Sequence, residues 1–355
     1  MQYTAPTVTP GPSTGFSSTT VVLYGHGDFD KVAVEDTPAP TKLEDDHIEL
    51  AAFYHGLNFT DNYLRLGIIR NKDFPVVMGS ECTGIIARIG ANVHDLLEGD
   101  RVLCLRMHAG LFQRSLHIPR KYCYRLDDHI SLRNGLALGL NFVVAHTCLF
   151  ELGRLKPGQV VFMTSVGGGV GTSVVQLART VPNVTVMGTA SESKHESLLS
   201  LGINHVFRFG QSFMMKILFP RGADIVINSK GGSDIEECLY LLKPFGRLIN
   251  IGSNNSVKSA INIPLPLQKP KWDGKNIRSA SIVGRNYLMS GLDIGYHLEN
   301  NRPKVQAILS HVFDLVGSQE IKPIIHTILP MERAAEGLKL LCKRENFGKV
   351  ILHKI

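Results

Sequence analysis

The sequence predicts an α/β protein in which a doubly wound parallel sheet is joined to a β-rich unit, and three observations carry this. An apolar run, Val160-Val161-Phe162-Met163-Thr164-Ser165, leads into Val166-Gly167-Gly168-Gly169-Val170-Gly171. Val174, Val175, Leu177, Ala178 and Val181 follow at helical spacing, so the segment reads as a buried strand, a tight glycine turn and a helix. Beyond about residue 130, apolar runs alternate with amphipathic stretches, the pattern of parallel strands covered by helices on both faces. Ahead of that point, from Val21 to about Arg125, short apolar runs are punctuated by glycine and proline, which suits a compact β-rich unit. The 355 residues suffice for one large or two medium domains with a sizeable core.

Residues 1–19 are mostly Thr, Ser, Pro and Gly, which bury too little apolar surface to offset chain entropy, and a disordered tail is expected there. Ile48–Phe53, Gly84–Ile89, Arg101–Leu105 and Ser115–Ile118 read as strands. A helix is expected over 135–150. Its apolar stretch, Leu136–Phe150, is interrupted by Asn141 and His146. It falls short of the ~20 residues a membrane span needs, so it reads as a buried helix between domains. The strand at 160–165, the glycine turn and a helix ending at Pro182 come next, then a strand at Val184–Met187 and a helix over 193–201. A strand at Asp224–Ile227, a helix around 234–242 and a strand at Arg247–Ile251 continue the alternation. Residues 254–285 are irregular and polar with a local basic cluster; a helix over 303–316 and a helix-and-strand stretch over 332–354 return to the first unit.

A side chain in the glycine turn would keep the backbone from approaching a pyrophosphate, and the helix N-terminus behind it favours negative charge. The turn therefore predicts a dinucleotide site. An NAD-binding chain usually places a carboxylate at the end of the second strand, ~20 residues beyond the glycines, to accept from the ribose hydroxyl. This chain reads Gly188-Thr189-Ala190-Ser191-Glu192-Ser193-Lys194 there, with no carboxylate at the strand end. Ser193 and Glu196 have capping-box spacing, which puts Lys194 in the first turn of a helix, where a cation opposes the dipole at ~0.3–1 kcal/mol. A phosphate as its partner accounts for that placement, so NADPH is expected; Glu192, turned inward to serve a ribose diol, is the contrary possibility.

The formal charge of +7 and pI near 9.1 suit acidic partners such as phosphate-bearing cofactors or anionic membranes. No long lysine–arginine block is present, which argues against dedicated nucleic-acid binding. Six dispersed cysteines (82, 104, 123, 148, 238 and 342) form no Cys-x-x-Cys pair, so a reducing compartment is expected. No secretory signal is read at the start, and a cytoplasmic location is expected. Lys269-Pro270-Lys271-Trp272-Asp273-Gly274-Lys275 joins the sole tryptophan to several cations. Such a loop suits peripheral contact with an anionic bilayer of a vesicle or organelle; a plain solvated loop is the alternative.

Several segments together resemble the medium-chain dehydrogenase/reductase superfamily, in its zinc-free quinone oxidoreductase branch. They are His55-Gly56-Leu57-Asn58-Phe59-Thr60-Asp61, Gly79-Ser80-Glu81-Cys82-Thr83-Gly84, Glu98-Gly99-Asp100-Arg101-Val102 and Leu155-Lys156-Pro157-Gly158. The glycine turn, Gly231-Gly232-Ser233-Asp234, Leu242-Lys243-Pro244-Phe245-Gly246-Arg247 and Asn346-Phe347-Gly348-Lys349-Val350 continue the likeness. Within the branch, Ala190–Glu196 and Gly291–Tyr296 resemble vesicle amine transport protein homologues. The resemblance implies a Rossmann domain over 131–295 inserted in a GroES-like catalytic domain formed by 20–130 and 296–355. It also implies an active cleft between them, NADPH, a small-molecule substrate and a homodimer. Cofactor contacts are expected from Val166, Gly167, Gly168, Gly169, Val170, Gly171, Ser191, Lys194, Phe209, Asn228 and Gly252.

Alcohol dehydrogenases of this superfamily place zinc ligands where this chain has Asn58, Ser80 and, nearby, Leu140, and no four-cysteine lobe occurs between Val102 and Ser115. A metal-free site is expected. Hydride transfer then needs an acceptor that is already activated, such as a quinone or a conjugated carbonyl. Asn58 is the first candidate catalytic residue, its amide NH2 donating to a developing oxyanion. His146 and His55 are candidate proton donors, with a packed structural histidine as the alternative for each. Asp61 reads as a helix-start or turn residue. The chain departs from related oxidoreductases at Ile69, at Phe142 and His146 in the segment that starts at Asn141, and at Phe209, where relatives often carry tyrosine. The competing expectation is a catalytically weak NADPH-binding protein acting at membranes or in phospholipid transfer.

Overall fold

The computed structural model describes residues 17–69, 71, 73–255, 257 and 279–353. Residues 1–16 and the Lys269–Lys275 loop lie outside these. The N-terminal unit is built from β1 (Ser17–Leu23), β2 (Val32–Pro38), β3 (His47–Leu57), α1 (Phe59–Arg65) and β4 (Val76–Val77). It continues with β5 (Glu81–Ile89), β6 (Arg101–Leu105), β7 (Ser115–Pro119) and β8 (Cys123–Arg125). The tail expectation fails at its inner end. Ser17, Ser18 and Thr19 pair with Pro38, Thr37 and Asp36 in β1, where the buried hydroxyls of Ser18 and Thr19 donate to Ser115 O and Asp36 Oδ1 despite the polar composition.

The helical segment that follows comprises α2 (Leu132–Leu138), α3 (Leu140–His146) and a wider π turn over Thr147–Leu152. The expected single helix is interrupted at Gly139, where an added Cβ would lie 2.8 Å from Glu81 Oε2. By length and composition the run Leu132–Leu152 could cross a membrane, yet 78% of its apolar window is buried inside the protein. Leu136, Leu138, Val143 and Leu149 lie in the largest core cluster together with Val174 and Leu177 of the next helix.

Six parallel strands form the second unit: β9 (Val160–Met163), β10 (Thr185–Thr189), β11 (His205–Phe207), β12 (Ala223–Asn228), β13 (Leu242–Asn250) and β14 (Leu288–Gly291). Between them run α4 (Gly169–Arg179), α5 (His195–Leu201), α6 (Met214–Leu218), α7 (Ile235–Leu241) and α8 (Ser279–Val283). Their order is β11-β10-β9-β12-β13-β14, so the winding reverses between β9 and β12, the switch point at which open α/β sheets bind ligands. All six residues of β12 are buried, which explains why Ile225, Val226 and Ile227 stand together without alternation. The short edge strand β14 was not foreseen.

Two helices, α9 (Ile294–Asn300) and α10 (Arg302–Gly317), lead to β15 (Ile325–Pro330), α11 (Ala334–Lys343) and β16 (Lys349–His353). The chain end returns to the first unit: the seven-stranded sheet runs β15-β16-β3-β5-β6-β8, with β7 also on β3. Gly348, just ahead of β16, forms an isolated parallel bridge with Gly168 in the glycine turn. The residue leading into β16 thereby touches the glycine turn, while β16 itself lies between β15 and β3.

Candidate functional site

The glycine turn sits at the switch point, and each glycine has its own physical reason. An added Cβ would lie 2.2 Å from Asn141 Nδ2 at Gly169, 2.2 Å from the Val166 carbonyl oxygen at Gly171, and 2.7 Å from Lys194 Cδ at Gly167. Gly171 is demanded by packing because it meets backbone, whereas at Gly167 and Gly169 the neighbour is a side chain that would have to move. At Gly168 nothing lies within 4 Å, although its φ of −89° suits any residue. Gly168 caps α4, its carbonyl accepting from Thr172 N–H at 2.9 Å, so the open face lies at the positive end of an eleven-residue helix. This is the bare approach an anionic diphosphate requires.

A cavity of about 320 Å³ opens in front of this turn. Gly167, Gly168, Gly169, Val170 and Gly171 line it, and so do Ser191, Lys194 and Phe209. Val166 is buried beneath the turn, where its N–H donates to the Thr189 carbonyl. Asn228 is not on the cavity wall; its side chain donates to Gly231 O (3.2 Å) and Asn250 Oδ1 (3.0 Å), bracing the loop behind Ser229, which is on the wall. Gly252 likewise stands beside the lining residue Ile251 rather than on the wall itself.

Several cations stand on the cavity wall. Lys194 ends a short 3-10 turn, Glu192–Lys194, and is itself the N-cap residue of α5, so Ser193 does not cap that helix as expected. Its Nζ donates to the carbonyls of Arg344 (2.7 Å) and Asn346 (2.6 Å), and burial with the nearby Arg344 lowers its pKa to about 8. Two of its three N–H groups are thus used by backbone. Arg344 holds a left-handed conformation (φ 58°) and donates to Asn255 Oδ1 at 3.1 Å. The Phe209 ring lies between Arg344 and Lys230, with centroid distances of 6.0 and 5.7 Å. Glu192 does not turn inward: it pairs with Arg208 on the surface.

A buried charged cluster that sequence reasoning missed adjoins the same cavity through Asn58 and Lys349. Lys349 Nζ pairs with Glu81 Oε1 and donates to Asn58 Oδ1 at 2.8 Å. Asn58 Nδ2 donates to Glu81 Oε1 (2.7 Å) and Gly56 O (3.0 Å), and Leu140 N–H donates to Glu81 Oε2 (3.0 Å). Gly56 and Gly139 make room for this carboxylate, since a Cβ on either would strike it. Asn58 does line the cavity, but both amide hydrogens are engaged, so the oxyanion role expected of its NH2 is not available in this arrangement. Its backbone N–H donates to Asp61 Oδ2 at 2.7 Å at the start of α1, and burial pushes the Asp61 carboxyl up to about 7.

The two histidines are placed elsewhere. On α3, Leu140, Asn141 and Val144 face the cavity; His146, two residues further on, is turned away by about 200°. Its Nε2 meets His311 Nδ1 of α10 at 3.1 Å, and burial lowers its pKa to about 4. His55 is fully buried against the Leu111 carbonyl (2.8 Å) and held neutral by desolvation, its pKa near 4. Neither lines the cavity. Tyr63 does: its hydroxyl donates to Asn254 Oδ1 (2.6 Å) and accepts from Ser253 N–H (2.9 Å), tying α1 to the loop after β13. Nothing in local sequence signalled Tyr63, Arg344 or Lys349, whose partners lie far away along the chain.

The positions compared with zinc ligands present an amide, a hydroxyl and an aliphatic chain. Ser80 Oγ accepts from His108 N–H at 3.0 Å, and the Lys349 ammonium lies against Asn58 and Glu81. These positions offer no thiolate or imidazole and do not fit a tetrahedral zinc.

A family described as the alcohol dehydrogenase GroES-like domain matches residues 44–128, and one described as zinc-binding dehydrogenase matches residues 201–352. The human synaptic vesicle membrane protein VAT-1 homolog is 33% identical over 337 residues, which cover 94% of this chain and 85% of that protein. The crystal structure of human synaptic vesicle membrane protein VAT-1 homolog-like protein matches with a TM-score of 0.81 at 29% identity, covering 96% of this chain and 98% of that one. Escherichia coli quinone oxidoreductase complexed with NADPH shares the fold at 20% identity, with a TM-score of 0.83 over 94% of this chain and 99% of that one. The chain therefore belongs to the medium-chain dehydrogenase/reductase superfamily, an α/β family with GroES-like and Rossmann-type parts, and within it to the VAT-1-like proteins.

Proposed function

We propose that the chain is an NADPH-dependent, metal-independent oxidoreductase that passes hydride to quinones or α,β-unsaturated carbonyls. One observation carries the reading. The open backbone at Gly168, at the head of α4, shares a single cavity with Lys194, Arg344 and Lys349, the last paired with Glu81. Gly167 to Gly171 would hold the diphosphate, while Ser191, Lys194 and Arg344 would hold the 2′-phosphate. When bound, NADPH supplies the hydride. The protein excludes water with Leu57, Met107, Leu140 and Val144, orients the acceptor against the turn, and presents Lys349, held in place by Asn58 and Glu81. The fixed ammonium beside Glu81 is the reason a metal is not needed. The exposed edge of β14 suits pairing of two copies into a homodimer.

A second reading, a catalytically weak NADPH-binding protein acting at membranes or in phospholipid transfer, draws on the vesicle-membrane names of the relatives and on one surface. Phe213, Ile217 and Leu218 around α6 are exposed beside Lys216. Purified protein mixed with NADPH and a panel of quinones and enones, with liposome co-sedimentation alongside, separates the two. The reductase reading expects NADPH oxidation with at least one acceptor. Tight NADPH binding without turnover, together with salt-sensitive adhesion to anionic vesicles, supports the second.

A further inference from the structure

We propose that Lys349, pinned by Glu81 and Asn58, is the oxyanion-binding residue of this cavity, taking the negatively charged oxygen of the substrate as it is reduced. The proposal deepens the reductase reading and rests on it for the reaction, though not for the anion site itself.

The pair is buried to an extent that needs explanation: Lys349 is 2% exposed and Glu81 is fully buried. Desolvating two charges costs several kcal/mol per ion, so a buried ion pair is weak evidence for stability. The surroundings are built to hold it. Two glycines clear space for the carboxylate, and Leu140 N–H and Asn58 Nδ2 satisfy it from two other elements. The ammonium has three N–H donors; Glu81 Oε1 and Asn58 Oδ1 take two, and Lys349 lines the cavity. Asn58, by contrast, has no amide hydrogen left to give.

Position along the chain adds the second argument. Gly348 is bridged to Gly168, so the residue carrying the ammonium directly follows the segment that touches the cofactor turn. The other cations on the wall, Lys194, Lys343 and Arg344, belong to the chain segments around Ser191 and the end of α11, not to the Asn58–Glu81 cluster. Lys349 is the wall cation that belongs to the Asn58–Glu81 cluster and directly follows the segment bridged to the glycine turn.

The chemistry balances. Hydride adds to the β-carbon of an enone and forms the new C–H bond. The C=C π pair shifts toward the carbonyl, and the C=O pair moves onto oxygen to give an enolate. The ammonium stabilises that charge without surrendering its proton, and a solvent proton at the α-carbon completes the saturated ketone. A preorganised donor at a developing oxyanion is typically worth about 100- to 1,000-fold in rate.

Two readouts test this with wild type, Lys349→Met, Lys349→Arg and the double variant Lys349→Met/Glu81→Gln, which removes the pair together and avoids an unpaired buried carboxylate. The first is titration of 4-nitrophenol, whose ionisation is visible in its absorbance. Wild type should bind the phenolate in preference to the phenol and lower its apparent pKa by about one unit or more, a tenfold preference. Lys349→Arg should retain part of the shift, and both variants lacking the cation should lose it. The second is single-turnover reduction of an enone at saturating NADPH. Loss of the cation should slow it about 100-fold while the NADPH Kd stays within about 3-fold. A full nitrophenol shift in the folded double variant overturns the proposal. So does a loss confined to NADPH affinity, which would make Lys349 a cofactor ligand. A Lys349-dependent phenolate shift in a protein that reduces no acceptor upholds the anion site and sinks the reductase reading. Reduction that is indifferent to Lys349 does the reverse.

Discussion

Lys194 shows how one side chain on the cavity wall is held in place. Two backbone carbonyls fix its ammonium in a mostly desolvated place, where an anionic partner gains more than it would in water. Lys194→Gln keeps a donor for one carbonyl and removes the charge. It should lower NADPH affinity about 100-fold and NADH affinity less than about 5-fold, read by fluorescence titration of both cofactors. Equal losses would remove Lys194 from the phosphate site. Asp61 makes a different prediction. Its carboxyl rises from an ordinary 3.8 to about 7 because burial disfavours the anion. Between those pH values the folded protein keeps a proton that the unfolded chain has released, so this group's contribution to stability falls as pH rises through the window. Asp61→Asn should therefore be more stable than wild type at pH 8, on the order of 2–4 kcal/mol, with the advantage gone near pH 4. Urea unfolding at the two pH values checks it. Such properties are not legible in sequence: Asn58 could be nominated from its motif, but the 291 residues separating it from Lys349 hid the partner that occupies its amide oxygen.

Among the elements, the glycine turn is where sequence and structure agree most closely, because strand, turn and helix are all local. The structure adds a distinction that the pattern conceals. Gly171 is required by the fold, since a Cβ would enter the Val166 carbonyl, whereas Gly168 faces open space. Gly171→Ala should destabilise by about 1–3 kcal/mol through overpacking, with a lower Tm. Gly168→Ala should leave Tm within about 2 °C and still weaken NADPH binding at least 10-fold, because the methyl stands where the diphosphate must approach. A Gly168→Ala protein that binds NADPH like wild type would dismiss the cradle. The long apolar helix was legible as buried, but its interruption at Gly139 was not, because the Leu140 N–H beside the break bonds Glu81 from another unit. His146 was misplaced for a related reason: a helix sequence gives spacing, and only the packed neighbours say which face turns inward. Strands β14 and β15 escaped because each is short and takes its pairing from a distant partner.

At the scale of the whole molecule, the cavity exists because the chain end crosses back. β16 pairs with β3, Gly348 bridges to Gly168, Tyr63 reaches the loop after β13, and Arg344 reaches Asn255. The two units are thus joined around the space where the cofactor belongs, and ligand binding there should stabilise the folded state by mass action. The alternation of strands and helices made the α/β class legible; the way the chain end closes the site is a long-range property that no local pattern records. Calorimetric titration of the folded protein with NADPH tests the central claim most directly. The account predicts saturable binding near one NADPH per chain, with a Kd in the micromolar range or tighter and NADH markedly weaker. Absence of any heat with either nucleotide, in protein that still unfolds cooperatively on heating, would contradict it.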